Sequence, residues 1–309
     1  RPNVDTYYSL VFTDLSLMPL YLEIPETERY YLIPILNNFG DVIESLGTRT
    51  TGQGKLKIAL VGPTFKGATP EGVKVIRSNT SLNWVLGRVA VKNDTDGESE
   101  VKEFQDKLVC RPLNEMNNTS YVAPSGTVNP DYNVVPMEAV DQLSIVDYFD
   151  QMMTLMMTNP STDADKSFIE ELKTIGIVPG GTFDISQFNN QSKIEGIPKI
   201  VQEKFKDLTA NPKAELLQNG WMVNTKGLGE YGTDYSLRAY VTKIGYGANQ
   251  AVDAVYPNSA VDSDGNTYNG SGNYVLHFDT DKLPPVKGFW SITMYNKKGF
   301  LVGNVIDRY

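Results

Sequence analysis

Through residues 1–125, short runs rich in β-branched and aromatic side chains are cut apart by clusters of Gly, Pro, Asn and Asp. That punctuation confines this end of the chain to sheet structure, because each run is too short for a helix and is bounded by turn formers. The runs fall at residues 8–13, 20–24, 30–35, 57–61, 73–76 and 84–91. In one of them Leu20, Leu22 and Ile24 alternate with Tyr21 and Glu23, the period of a strand with one wet face. Closely spaced strands of this kind predict a β-sandwich over 1–125.

The texture changes after a loop at residues 114–136. From Glu138 the apolar residues Val140, Leu143, Val146, Phe149, Met153 and Met156 recur every three or four positions, the helical period. The Met pairs at 152–153 and 156–157 read as part of a core helix rather than an adaptable binding surface. A second helix is predicted from near Asp163 to before Gly176, with Phe168, Leu172 and Ile175 facing inward, and a third opens at Pro198, a favourable first-turn residue. A fourth covers 235–244. Strand-like runs then return at 254–256, 274–279, 289–295 and 300–302, with Phe289 and Ser291 expected on one face and Trp290 on the other.

Strands, then helices, then strands argue against an alternating parallel sheet. The expected class is mainly β with a helical insertion (α+β): two β-sandwich or jelly-roll-like domains, at 1–125 and 220–309, joined by a small helical layer at 126–219. A length of 309 residues suits two such domains. The helices, each with one apolar stripe, are expected to lie between the β domains and bury Phe149 and Leu172.

Counting limits the chemistry. Lys and Arg number 28 against 37 Asp and Glu, a net charge of −9 whose field repels phosphate backbones, so no nucleic acid is expected. No apolar run approaches the length of a membrane span. Cys110 and His277 are the only residues of their kinds, which removes intramolecular disulfides and Cys/His zinc sites. Gly47 and Gly52 have the spacing of a phosphate loop, but Gln53 stands where its lysine belongs. Asp262, Asp264 and Asn266 begin like a calcium loop, yet Thr267 and Asn273 occupy the positions that need Gly and a carboxylate, so a hairpin turn is the expectation. No metal and no cofactor are assigned. His277 reads as a satisfied or rim residue on a strand.

A polar cluster is more suggestive. Arg1, Asn3, Asp5, Tyr7 and Tyr8 precede or begin the first strand, and Arg49 and Arg88 lie on or beside others. Asp5 paired with Arg1 or Arg49 would either order loops or present an acid. The candidate binding set is Arg1, Asn3, Asp5, Tyr7, Arg49 and Arg88, and the candidate catalytic set is Asp5, Arg49 and Tyr8. Sequons at Asn79, Asn93, Asn117, Asn118, Asn190 and Asn269 would suit a glycoprotein.

Several strings carry a family resemblance. RPNVDTYYS, LGTRTTGQG, VGPTFKG, GVKVIRS and WVLGRVAV resemble the domain of unknown function 1254 (DUF1254). YGTDYSLRAYVTKIGYGAN, DAVYP, YVLHF, LPPVKGFWSITMY and NVIDRY resemble its usual partner, the domain of unknown function 1214 (DUF1214). The resemblance implies two β-sandwich or jelly-roll domains joined through helices, an extracellular or cell-envelope location, and further chain beyond both ends. On that basis residues outside 1–309, or a neighbouring subunit, are expected to complete a sheet edge near 288–295 or 299–302.

Three functions fit. The first is an exported structural or binding module without catalysis, taking another protein, a copy of itself, a glycan or a small molecule through surfaces supplied by 17 Tyr and 3 Trp. The second is a metal-independent hydrolase or lyase on a saccharide or small molecule, with Asp5 as acid or base, Arg49 stabilising negative charge and Tyr8 donating a proton. The third is a capsid or surface-layer component, which would place it on a virion or cell surface.

Overall fold

The computed structural model describes residues 3–210, 217–218 and 220–306. Eight strands form two four-stranded sheets within the first 112 residues. The first sheet is antiparallel, with β1 (Thr6–Asp14), β7 (Leu82–Ala90), β3 (Tyr31–Asn37) and β4 (Val42–Gly47) side by side. The second runs β6 (Lys74–Arg77), β5 (Leu56–Val61), β2 (Leu20–Ile24) and β8 (Val109–Pro112), parallel only between β5 and β6.

Alternation decides what each sheet turns inward. Tyr31, Ile33 and Ile35 of β3, Leu46 of β4 and Val85 and Val89 of β7 join Leu22, Ile24, Ile58, Leu60 and Ile76 of the other sheet in one buried cluster. Val101 and Phe104, from the short helices α1 (Asp94–Asp96) and α2 (Lys102–Asp106) and the turn between them, close that cluster at one end. Gly47 is fixed by contact: a Cβ there would sit 2.4 Å from the Tyr31 carbonyl oxygen at a φ of +152°.

The predicted helix beginning at Glu138 is two helices, α3 (Pro136–Asp141) and α4 (Ile145–Met156). Ser144 makes the break, because its hydroxyl accepts from the Asp147 N–H and caps α4. The helices α5 (Lys166–Lys173), α6 (Gln191–Glu195), α7 (Ile197–Ala210) and α8 (Tyr235–Gly245) follow. Phe149, Leu172 and Ile175 pack around the buried Met153, Ile177 and Phe183, so the helical stripe buries chiefly on itself. Phe168 is exposed, at the edge of a stack with Tyr235. Asn159 ties this layer to the sheets, its Oδ1 accepting from the Leu82 N–H at 2.9 Å.

The strand expectations for 254–302 are corrected. Beyond the short pair β9 (Leu217–Gln218) and β10 (Trp221–Met222), the later β structure among the described residues is limited to the isolated bridges Met222 with Asn258, Val261 with Thr267 and Tyr295 with Leu301. Extended, alternating sequence makes a strand only where another strand answers its N–H and C=O groups, and no ladder forms here. The alternation itself survives: Phe289 meets Tyr30 and Ser291 meets Asp5, while Trp290 turns away to Phe278. Both Phe289 and Trp290 are exposed. Replacing either by Ala should therefore cost about 1 kcal/mol in a urea titration, not the 3–5 kcal/mol of a core aromatic.

The 262–267 segment is the expected turn, with Asp262 Oδ1 accepting from the N–H groups of Asp264 and Asn266. Among the described residues, no helix is long and apolar enough to cross a membrane.

Candidate functional site

The outer face of the first sheet carries Tyr8 on β1 and Arg88 on β7, which the register sets directly opposite each other. The Arg88 guanidinium lies over the Tyr8 ring, 5.4 Å from its centroid. Ser45 projects from β4, and Arg49 follows in the turn after Gly47. The chain from 229 to 256 covers this face. It begins at Gly229, whose carbonyl accepts from the Val42 N–H at 2.8 Å, and passes Gly247, where a Cβ would lie 2.6 Å from the Trp84 ring.

Asp253 and Tyr256 of that covering segment meet the two arginines. Asp253 accepts from Arg49 through both carboxylate oxygens, Nε to Oδ1 at 2.6 Å and Nη2 to Oδ2 at 2.9 Å, and also from the Ser45 hydroxyl at 2.6 Å. The Asp253 side chain is 4% exposed and that of Arg49 is 41% exposed. Burial pushes the Asp253 carboxyl up, but the hydrogen bonds from Arg49 and Ser45 and the charges of Arg49 and Arg88 outweigh it and hold the group below the usual carboxylate range. Tyr256 OH accepts from Arg88 Nη1 and from Asn249 Nδ2, each at 2.9 Å. Arg88 Nε is buried without a partner among the described residues. Burial raises the Tyr30 hydroxyl above its ordinary range within the same group.

The sequence candidates divide accordingly. Arg49 and Arg88 enter this seam, and Asp5 extends it by accepting from the Ser291 hydroxyl at 2.7 Å. Asn3 Nδ2 donates to Tyr8 OH at 2.9 Å, and Asn3 Oδ1 caps the turn by accepting from the N–H groups of Asp5 and Thr6. The pairing of Asp5 with Arg49 is not what forms, because Asp253 occupies the guanidinium. Tyr7 faces the other way, toward the core cluster and Gly97. Arg1 lies outside the described residues. No local sequence pattern marks Ser45, Tyr30, Asn249, Asp253, Tyr256 or Ser291 as site residues, although Asp253 and Tyr256 stand in DAVYP and Ser291 in LPPVKGFWSITMY.

His277 is exposed and its Nε2 lies 3.2 Å from Asp279 Oδ1. It borders a shallow open depression at residues 277–281 that shares no residue with the seam. Asn93, Asn117, Asn118, Asn190 and Asn269 are exposed, whereas Asn79 is half-buried and accepts from Asn37 Nδ2. Among the described residues, no group of three or more His, Cys, Asp or Glu is placed to hold a metal ion.

Comparison with known proteins places a family described as "Protein of unknown function (DUF1254)" on residues 1–112 and one described as "Protein of unknown function (DUF1214)" on residues 253–309. The fold is similar to the crystal structure of the VPA0106 protein from Vibrio parahaemolyticus, a Northeast Structural Genomics Consortium target. The TM-score is 0.72 at 21% identity, over 99% of this chain and 73% of that one. No curated protein matches. The contacts of Arg49 with Asp253, Arg88 with Tyr256 and Asp5 with Ser291 therefore each join a residue of the first matched region to one of the second.

Proposed function

We propose that this chain, whose residues 1–112 match DUF1254 and whose residues 253–309 match DUF1214, is an exported binding or assembly module that works without catalysis. The observation that carries this reading is the seam. Its one ion pair across the two matched regions among the described residues is spent on joining them, with Arg49 and Asp253 closed on each other in a bidentate pair. A hydrolase built on these residues would need Arg49 turned toward a substrate and a carboxylate poised to exchange a proton near neutral pH. The Asp253 carboxyl is instead held below its ordinary range, the arrangement of a structural ion pair.

The finer architecture follows the same reading. Two sheets sharing one buried cluster support a β-sandwich for the first region, with the second region, at 220–309, as a partner domain. Exposed sequons at Asn93, Asn117, Asn118, Asn190 and Asn269 support export. The ligand classes in view are a glycan, a small molecule or a protein surface.

A thermal-shift screen of saccharides and small organic molecules tests the reading. A true ligand at about 100 times its Kd should stabilise the protein by about 2.7 kcal/mol. Incubation of any such compound with the protein should return it unchanged by mass spectrometry. Steady conversion to product, abolished by Asp5→Asn, would end the non-catalytic reading.

A further inference from the structure

Each sheet edge is a row of N–H and C=O groups that folded proteins normally cover or blunt. Three of the four edges of the two four-stranded sheets are treated that way. The Val42 N–H of β4 is taken by Gly229, β6 is four residues long and carries Lys74 and Arg77, and β8 is four residues long and contains Arg111 and Pro112. The remaining edge, β1, is nine residues long and has neither Lys, Arg nor Pro. Its outer face instead shows Tyr8, Leu10 and Phe12, which are 42, 51 and 74% exposed.

The hydrogen bonds fix which backbone groups of β1 are free. The Asp5 carbonyl accepts from Val91 N–H and the Leu15 N–H donates to Ser81, so the odd-numbered residues turn their polar groups toward β7. The even-numbered residues then face outward. Thr6 N–H is satisfied by Asn3, and the Tyr8 carbonyl accepts from Gln105 Nε2 at 2.9 Å. Among the described residues, the stretch of β1 left uncovered is Leu10 to Asp14, which also carries the two most exposed apolar side chains of that strand, Leu10 and Phe12.

We propose that β1 pairs antiparallel with β1 of a second copy of this chain, Leu10 opposite Phe12 across a two-fold axis at Val11, joining the two first sheets into one. This rests on the assembly reading above and narrows it to a self-complementary surface. The argument for a second copy is complementarity within the strand. In this register each uncovered pair of N–H and C=O groups at Leu10 meets the pair at Phe12 of the other copy, and Leu10 packs beside that phenylalanine on the outer face. The same register sets Asp14 of each copy opposite Tyr8 of the other. There the Arg88 guanidinium, which has no carboxylate within ion-pair distance among the described residues, lies over the ring. Phe12 already stacks on Trp84 at 5.1 Å, and Trp84 on Tyr246 at 5.5 Å, so the exposed ring is held in place before the partner arrives.

Sedimentation equilibrium of the 309-residue chain over a concentration series tests the proposal. The wild type should be a reversible dimer, and Leu10→Lys, which sets a charge against the apolar edge of each partner, should raise the dissociation constant by about a hundredfold or more. Because Leu10 is half exposed, the variant should keep the far-UV spectrum and melting temperature of a wild-type monomer. Should it not fold, Val11→Cys in a Cys110→Ser background replaces it. The narrow pair at the axis holds its Cα atoms about 4.5 Å apart, within disulfide reach, so mild oxidation should yield a covalent dimer. A wild type that stays monomeric, a dimer indifferent to Leu10→Lys, or a Val11→Cys variant that does not cross-link would overturn the proposal. A monomer that still binds ligand unchanged would end this interface and leave the binding reading intact. A dimer that turns its ligand over would do the reverse.

Discussion

Ile35→Ala should lower the unfolding free energy by about 4 kcal/mol, and Leu60→Ala by a similar amount, measured as a shift of the urea midpoint at unchanged slope. Both side chains are 0% exposed, one on β3 and the other on β5, and both belong to the cluster that the two sheets share. Truncation removes the transfer free energy of the lost methyl and methylene groups and leaves a cavity that close-packed neighbours fill poorly. Because one cluster spans both sheets, each variant should shift the transition of the whole 3–112 region. If Leu60→Ala released only the second sheet while the first kept its midpoint, the two layers would be separate folding units and the shared core would be wrong.

Local pattern made the strands of the first region legible, and lack of local pattern hid the rest. The run at Leu20–Ile24 announces β2 because its faces differ. By contrast Val42–Gly47 carries Glu44 and Ser45 in its middle, since those side chains meet Lys74 and Asp253 rather than water alone, and so it does not alternate as a strand should. Residues 274–279 show the opposite failure: their sequence is strand-like, but Val275 is almost fully exposed and no strand pairs with it among the described residues. Alternation records which faces differ in wetness, whereas a ladder also needs a neighbour, and sequence does not carry that.

The site followed the same logic. Arg49 and Arg88 stood out as cations beside strands, but the partner of Arg49 lies 204 residues away and that of Arg88 168 residues away. Helical and strand periods reach only a few residues, so neither Asp253 nor Tyr256 had a local signal. The one available clue was that each sat in a short string, DAVYP, resembling the second region's motif, while Arg49 and Arg88 sat in strings resembling the first's. Strings without a local structural role are where partners at long range should be sought.

The seam makes an asymmetric prediction about its two charges. Arg49→Ala should destabilise the protein by about 2–3 kcal/mol at pH 7, and Asp253→Asn by only about 1 kcal/mol. Removing Arg49 strands a carboxylate whose side chain is 4% exposed, with the Ser45 hydroxyl as its remaining hydrogen-bond donor among the described residues. Removing the charge of Asp253 leaves a guanidinium that is 41% exposed and can turn to water, which is also why the first figure stays below that of a fully buried pair. The pH profiles should differ in sign. In the wild type the folded-state pKa of Asp253 lies below its unfolded value of about 3.9, so its contribution is complete above that pH and is lost as the pH falls through the folded value. In Arg49→Ala burial is the largest influence left, with Ser45 and the charge of Arg88 opposing it, so the folded value should move up past the unfolded one. The carboxyl then favours folding only when protonated, so the deficit of the variant should shrink as the pH falls from neutral toward the unfolded value of about 3.9. Urea midpoints for wild type, Arg49→Ala and Asp253→Asn across that window decide the matter: equal costs for the two substitutions, or a deficit of Arg49→Ala that does not change with pH, would mean that the seam is a solvated contact and does not hold the two regions together.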